Sequence, residues 1–148
     1  MPSPITALLN ATLTSINELV AVKMEKPELV KSPILQTEHG VLIGITGNLR
    51  GRLFIMGTAG MFTKAGLAMY AMELEGDMLE SFVGEFGNSV AGHTATKLYN
   101  EGVAIDITPP TTMQGQVKLG GFSKAIQVPF LIENEHEGHL VLAVEENN

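Results

Sequence analysis

Asp77-Met78-Leu79-Glu80-Ser81-Phe82-Val83-Gly84-Glu85-Phe86-Gly87-Asn88-Ser89-Val90-Ala91-Gly92-His93 is the stretch on which the fold turns. Leu79, Phe82, Val83, Phe86 and Val90 recur at helical spacing and form one apolar stripe, the surface a helix turns toward a core. Ser81, Glu85, Asn88 and Gly92 follow at offsets of four, three and four, so they line a second stripe roughly opposite the first. A solvated helix face normally carries Lys, Glu, Gln and Arg, which are good helix formers. Between Ser81 and Thr96 the sole formal charge is Glu85, and the neighbours are small: Ser81, Gly84, Gly87, Ser89, Ala91, Gly92 and Ala95. A glycine inside a helix costs about 0.5–1 kcal/mol relative to alanine. Three of them in one helix imply that something is gained by close approach of another surface. That surface is either another element of the same fold or a partner, and both readings stand at this point.

The elements around this helix fall into groups. Ser3-Pro4 reads as an N-cap and a first-turn proline, opening a helix from Pro4 to about Val22 on Ile5, Leu8, Leu9, Leu13, Ile16, Leu19 and Val20. Pro27 and Pro33 leave Lys23 to Gln36 as short extended pieces or an edge strand. Val41 to Thr46 and Arg52 to Gly57 are β-branched runs around Gly47-Asn48-Leu49-Arg50-Gly51, a hairpin signal. A second helix is expected over Ala59 to Glu73. Its apolar residues, Met61, Phe62, Ala65, Leu67, Met69, Tyr70 and Met72, lie nearly all round it. A helix of the core is the first reading, since Met usually fills cores; a helix covered by a partner subunit is the other. Asp77 is expected to cap the third helix, which stops at Asn100-Glu101-Gly102. Strands follow over Val103 to Thr108, Thr112 to Leu119, Ala125 to Ile132 and Leu140 to Val144, with Glu133 to Gly138 as a polar turn. Strands grouped in this way predict an α+β fold, a mostly antiparallel sheet with helices packed on it, as one domain over residues 1–148.

Composition excludes several classes. The chain has 148 residues, 45% hydrophobic and 17% charged, enough for a real core and unlike a disordered chain. No cysteine is present, which removes disulfides, thiolate metal sites and a cysteine nucleophile. Nine basic against sixteen acidic residues give a net charge of −7, the wrong sign for a non-specific nucleic-acid binder. No apolar run approaches the roughly 20 residues that span a bilayer. Met1-Pro2-Ser3-Pro4 lacks the basic start and apolar stretch of a signal peptide, so a cytoplasmic location is expected, and the sequon at Asn10-Ala11-Thr12 reads as chance.

Familiar catalytic motifs are missing: no phosphate loop, no dinucleotide fingerprint, no serine elbow. Glu135, His136 and His139 fall in the expected turn and read as a solvated loop rather than a metal site, which needs ligands converging from a rigid frame. His93 reads as an interior histidine of the third helix. Glu85 and Asn88 are the pair with chemical use. Three residues apart on a helix, they point nearly the same way. The carboxylate can hold a cation, and the amide, donor and acceptor at once, can orient a water without deprotonating it.

The segment Ser81-x-x-x-Glu85-x-x-Asn88 resembles the signature helix of the CheC/CheX/FliY-type chemotaxis phosphatases: Asp or Ser, three residues, Glu, two residues, Asn, with a later proline that Pro109-Pro110 answers. The run Asn88 to Leu98, the strand after it and Pro-Pro-Thr fit as well, and the order of elements resembles the family over nearly the whole chain. The resemblance is to the CheX-like branch, because the first helix, Asn10 to Leu19, has no second Glu-x-x-Asn and the chain is too short for a switch-protein domain. It implies a homodimer joined through its sheets. It implies hydrolysis of the aspartyl phosphate of a phosphorylated CheY-type response regulator, which supplies the phosphoryl group, its own magnesium ion and its own catalytic residues; no cofactor is held by this chain. Asn88 would then orient the attacking water, an act of positioning, and Glu85 would pair with a receiver lysine. Ser81, Gly84 and Gly92 would belong to the receiver-docking surface, the glycines as clearance. Two other readings remain: a non-catalytic receiver-binding or scaffold protein of the same fold, and an unrelated ligand-binding α+β domain whose Glu-x-x-Asn is accidental. The last predicts Glu85 or Asn88 buried or pointed apart.

Overall fold

The computed structural model describes residues 3–121 and 124–145. In chain order the elements are α1 (Pro4–Leu19), β1 (Lys23–Met24), β2 (Glu28–Leu29), β3 (Ile34–Gly47), β4 (Arg50–Gly57), α2 (Ala59–Tyr70), α3 (Gly76–Asn100), β5 (Ile105–Ile107), β6 (Thr111–Lys118), β7 (Lys124–Ile132) and β8 (His136–Glu145). The strands form one eight-stranded sheet in the order β1-β7-β8-β4-β3-β5, with β2 also on β7 and β6 also on β3. Every pairing is antiparallel, as the grouping of strands in the chain predicts.

Alternation along the strands separates two apolar clusters. Val41, Ile45, Leu53, Ile55, Val128, Phe130, Leu140 and Leu142 share one cluster with the apolar residues of all three helices. Phe54, Met56 and Val141 point the other way, where Leu119, Val30 and Leu35 pack on them. Since β2 lies on β7 and β3 lies on β4, the chain between Leu29 and Ile34 must cross this second face, and Leu119 donates its N–H to Pro33 O at 2.6 Å. The prolines that suggest short extended pieces thus serve a crossing segment.

Several boundaries are corrected. Helix α1 ends at Leu19 rather than Val22, because Val20 turns extended and the Asn17 side chain accepts the Val22 N–H at 3.1 Å. Its cap is as expected: Ser3 Oγ accepts the Thr6 N–H at 3.3 Å. Helix α2 stops at Tyr70, where Ala71 takes a left-handed conformation with φ of 57°. Asp77 does not cap α3. Glu75 holds that position without a side-chain cap bond, and Asp77 lies in the first turn, where its charge meets the helix dipole. Strand β3 starts at Ile34, seven residues before the expected Val41, since β6 pairs along it from Ile34 to Leu42 with a bulge between Thr37 and Gly40. β5 and β6 occupy the same edge of β3. Pro109-Pro110 interrupts that edge because proline has no N–H for the ladder, and Thr108 bridges the gap by accepting the Gly44 N–H on Oγ1 at 2.8 Å.

The third helix packs against both α1 and the sheet. Ala91 and Thr94 are buried, and Thr94 Oγ1 donates to Ser15 Oγ of α1 at 3.3 Å. His93 is not interior: it is half exposed beside Glu18, with Nδ1 3.8 Å from Oε1. Thr94, one residue along, takes the inward place. Lys97 Nζ stands 2.6 Å from Glu18 Oε1; that hydrogen bond, before the charge of Lys97 and the neighbouring His93, holds the Glu18 carboxyl below its ordinary value. Such an exposed pair adds little to stability.

Gly87 sets how closely α3 approaches the sheet. A Cβ there would stand 2.5 Å from Val41 Cγ1, and Val41 is fully buried in β3. Gly92 has nothing within 4 Å of the same position. Opposite outcomes are expected. Gly87→Ala should destabilise, overpacking of this kind costing about 1–3 kcal/mol and exceeding the gain in helix propensity. Gly92→Ala should stabilise by roughly 0.5–1 kcal/mol. Urea denaturation of both variants against the parent checks the pair.

Candidate functional site

The two stripes of α3 behave differently. Leu79, Phe82, Val83, Phe86 and Val90 are all buried, none more than 8% exposed. Ser81, Glu85 and Asn88 are exposed, and Gly92 is half-buried. The inward stripe is pinned by aromatic contacts: Phe86 meets the edge of Phe62 from α2 at 6.1 Å between ring centroids and lies 5.8 Å from Phe82. A helix held this firmly on one side presents Glu85 and Asn88 from a rigid frame, which positioning chemistry requires.

The Glu85 carboxylate accepts the Ser89 hydroxyl one turn on, at 3.5 Å. Among the described residues no cation pairs with it, and no Lys or Arg occurs anywhere from residue 65 to 96. Its charge is therefore available to a cation from outside the chain. Asn88 is exposed, and its amide engages no hydrogen-bond partner among the described residues. The two side chains share a face one helical turn apart. The reading in which one of them is buried, or the two point apart, does not survive.

Gly84 requires a correction. It is buried, and a Cβ there would stand 3.3 Å from Thr112 Cγ2 and 3.9 Å from Pro110 Cγ. Its missing side chain makes room for Thr112 of β6 and for Pro110 before it. Gly87 serves β3 and Ala91 faces inward, so three of the small residues of α3, Gly84, Gly87 and Ala91, answer to internal packing. Gly92 and Ser81 remain on the outward stripe.

The histidines also move from their expected places. The turn before β8 is shorter than Glu133 to Gly138: Glu133 and Asn134 take positive φ and β8 opens at His136. His139 is therefore on a strand. Its Nδ1 lies 3.1 Å from the Gln127 amide and its Nε2 2.8 Å from Glu137 Oε1. Among the described residues no group of three or more His, Asp or Glu is placed to hold a metal, and no helix is long and apolar enough to cross a membrane.

The second helix shows an apolar surface that the first of its two readings did not expect. Of the apolar residues expected on it, Met61, Phe62 and Ala65 are buried, but Leu67 and Tyr70, and Met72 just past its end, are 42%, 49% and 50% exposed. The core-helix expectation holds for one side only. The signal was present, because one buried face cannot absorb apolar residues all round a helix.

Residues 39–131 match the family model described as Chemotaxis phosphatase CheX. The CheY-P phosphatase CheX of Thermotoga maritima is 30% identical over 146 residues, covering 95% of this chain and 94% of that protein. The chain belongs to the CheX family of chemotaxis phosphatases. Solved structures carry the same fold. A CheC-like superfamily protein from Shewanella sp. PV-4 superposes with a TM-score of 0.81 at 21% identity, covering 99% of this chain and all of that one. CheX in the CheX-CheY-BeF3-Mg complex from Borrelia burgdorferi superposes with a TM-score of 0.77 at 22% identity, covering 96% and 97%. Family membership makes this chain one of the protein phosphatases, and the α+β, CheC-like fold expected from the order of its elements is the fold it has.

Proposed function

We propose that the protein hydrolyses the aspartyl phosphate of a phosphorylated CheY-type receiver in chemotaxis or a related two-component pathway. The observation that carries this reading is the exposed, uncommitted Glu85–Asn88 pair on a helix whose opposite face is locked in the core. The Thermotoga relative is named for action on CheY-P, and the Borrelia relative was solved with CheY, BeF3 and magnesium; both support the same partner. The receiver brings the phosphoryl group and its magnesium ion. Asn88 holds a water in line with phosphorus, accepting from it or donating to it without taking its proton. Glu85 pairs with a receiver lysine, which fixes the register of docking, and Ser81 and Gly92 lie in the contact. The acting form is a homodimer with two such helices, in keeping with the exposed apolar Leu29 and Ile34 on the sheet; a scaffold role without catalysis is the competing reading.

Dephosphorylation of a receiver with excess magnesium, run beside a binding titration, tests the proposal. Glu85→Ala is expected to weaken receiver binding by at least about tenfold and to lower the rate with it, since truncating one partner of a charge pair desolvated on docking costs about 2–5 kcal/mol. Because Glu85 is exposed and among the described residues bonds only Ser89, the fold survives. Unchanged receiver affinity in Glu85→Ala would remove the docking role.

A further inference from the structure

Beside the Glu85 end of α3 lies a groove of about 470 Å³ between the end of α2 and the first turns of α3. Its floor is apolar and already buried, Leu74 at 6% and Phe82 at 3% exposure, and its walls are apolar and exposed: Tyr70 at 49%, Met72 at 50% and Met78 at 57%. The Tyr70 ring packs T-shaped against Phe82 with centroids 5.7 Å apart, so this wall is braced on the floor. The surrounding chain is acidic. Glu73, Glu75, Asp77, Glu80 and Glu85 are exposed between residues 73 and 85, with no Lys or Arg from 65 to 96. Ser81 and Glu85 line the groove and also belong to the outward stripe, so groove and stripe form one continuous surface.

We propose that this groove is a second docking element for the receiver, seating an apolar side chain flanked by lysine or arginine on the receiver's surface next to its phosphorylation site. This rests on the receiver reading above. An apolar floor favours an apolar knob. Exposed methionines adapt to its shape, and the acidic rim selects a basic surround and speeds encounter. A second copy of this chain fits poorly, because an isologous contact sets each patch against itself and would bring two acidic rims together. The groove supplies binding that is the same in ground and transition states, while Asn88 acts only on the water.

The test is a double variant, Met72→Ser with Met78→Ser, both exposed and neither part of the water-orienting pair. The receiver is one that the parent protein dephosphorylates, held in its activated form by beryllofluoride and magnesium for titration and phosphorylated for turnover. The expected result is a Kd and KM raised about tenfold with kcat at saturating receiver unchanged, the mark of lost uniform binding. Parent affinity should also fall as salt is raised. Parent-like Kd and KM in the double variant overturn the groove proposal, while Asn88→Ala, assayed alongside, still reports on the catalytic reading by its loss of kcat. A shift from dimer to monomer in the double variant by light scattering assigns the groove to a second copy and overturns it too. A parent protein that neither binds nor dephosphorylates a CheY-type receiver overturns both readings.

Discussion

Asn88→Ala is expected to lower stimulated receiver dephosphorylation by about 10²-fold or more, to near the receiver's own rate, because misplacing a reacting group by even about 1 Å costs that much. The side chain is exposed on the outward stripe and engages no partner among the described residues. Its truncation opens no cavity, and stability should move by no more than about 0.5 kcal/mol. Receiver affinity should stay close to that of the parent, because the amide's task is to hold one water in line, an interaction realised in the transition state rather than in the docked complex. The measurement is kcat at saturating phosphorylated receiver with excess magnesium, set beside a titration against the beryllofluoride form. Retention of parent kcat would leave the protein a receiver-binding scaffold.

The largest effect on stability is expected from the other side of the same helix turn. Phe86 is fully buried and joins α3 to α2 through Phe62 and Phe82. Phe86→Ala removes the ring and leaves a cavity that Gly87 on Val41 prevents the helix from closing, so about 3–5 kcal/mol should be lost. In a chain of this size each kcal/mol shifts Tm by roughly 2–4 °C, which calorimetry reads directly. Near the site the variant should also loosen the frame behind Glu85 and Asn88. Urea and thermal unfolding of Phe86→Ala within about 1 kcal/mol of the parent would contradict the tight seating of α3. Asn88→Ala and Phe86→Ala thus separate: the first spares the fold and removes turnover, the second weakens the fold itself.

Much of this was legible in the residues. The period of Leu79, Phe82, Val83, Phe86 and Val90 told which face of α3 turns inward, because a helix in water must bury its apolar stripe, and that placed Glu85 and Asn88 outside without any coordinates. The grouping of strands told that the sheet is antiparallel, since parallel neighbours need long crossovers. The Ser81-x-x-x-Glu85-x-x-Asn88 spacing carried the family resemblance. Other features depend on what the helix meets, and local pattern does not record its neighbours. Gly84, Gly87 and Gly92 read alike in a sequence, each an absent side chain. Tertiary packing alone distinguishes them, putting Thr112 against the first, Val41 against the second and open space beside the third. His93 lost its expected interior place because α1 approaches from one side and offers Ser15 to Thr94 and Glu18 to His93. Tyr70 and Met72 read first as core material because apolar residues usually are, with a partner-covered helix as the other reading. The break at Ala71 turns the chain away from α2, and with Tyr70, Met72 and Met78 exposed an apolar groove lies open at the end of the helix that bears Glu85.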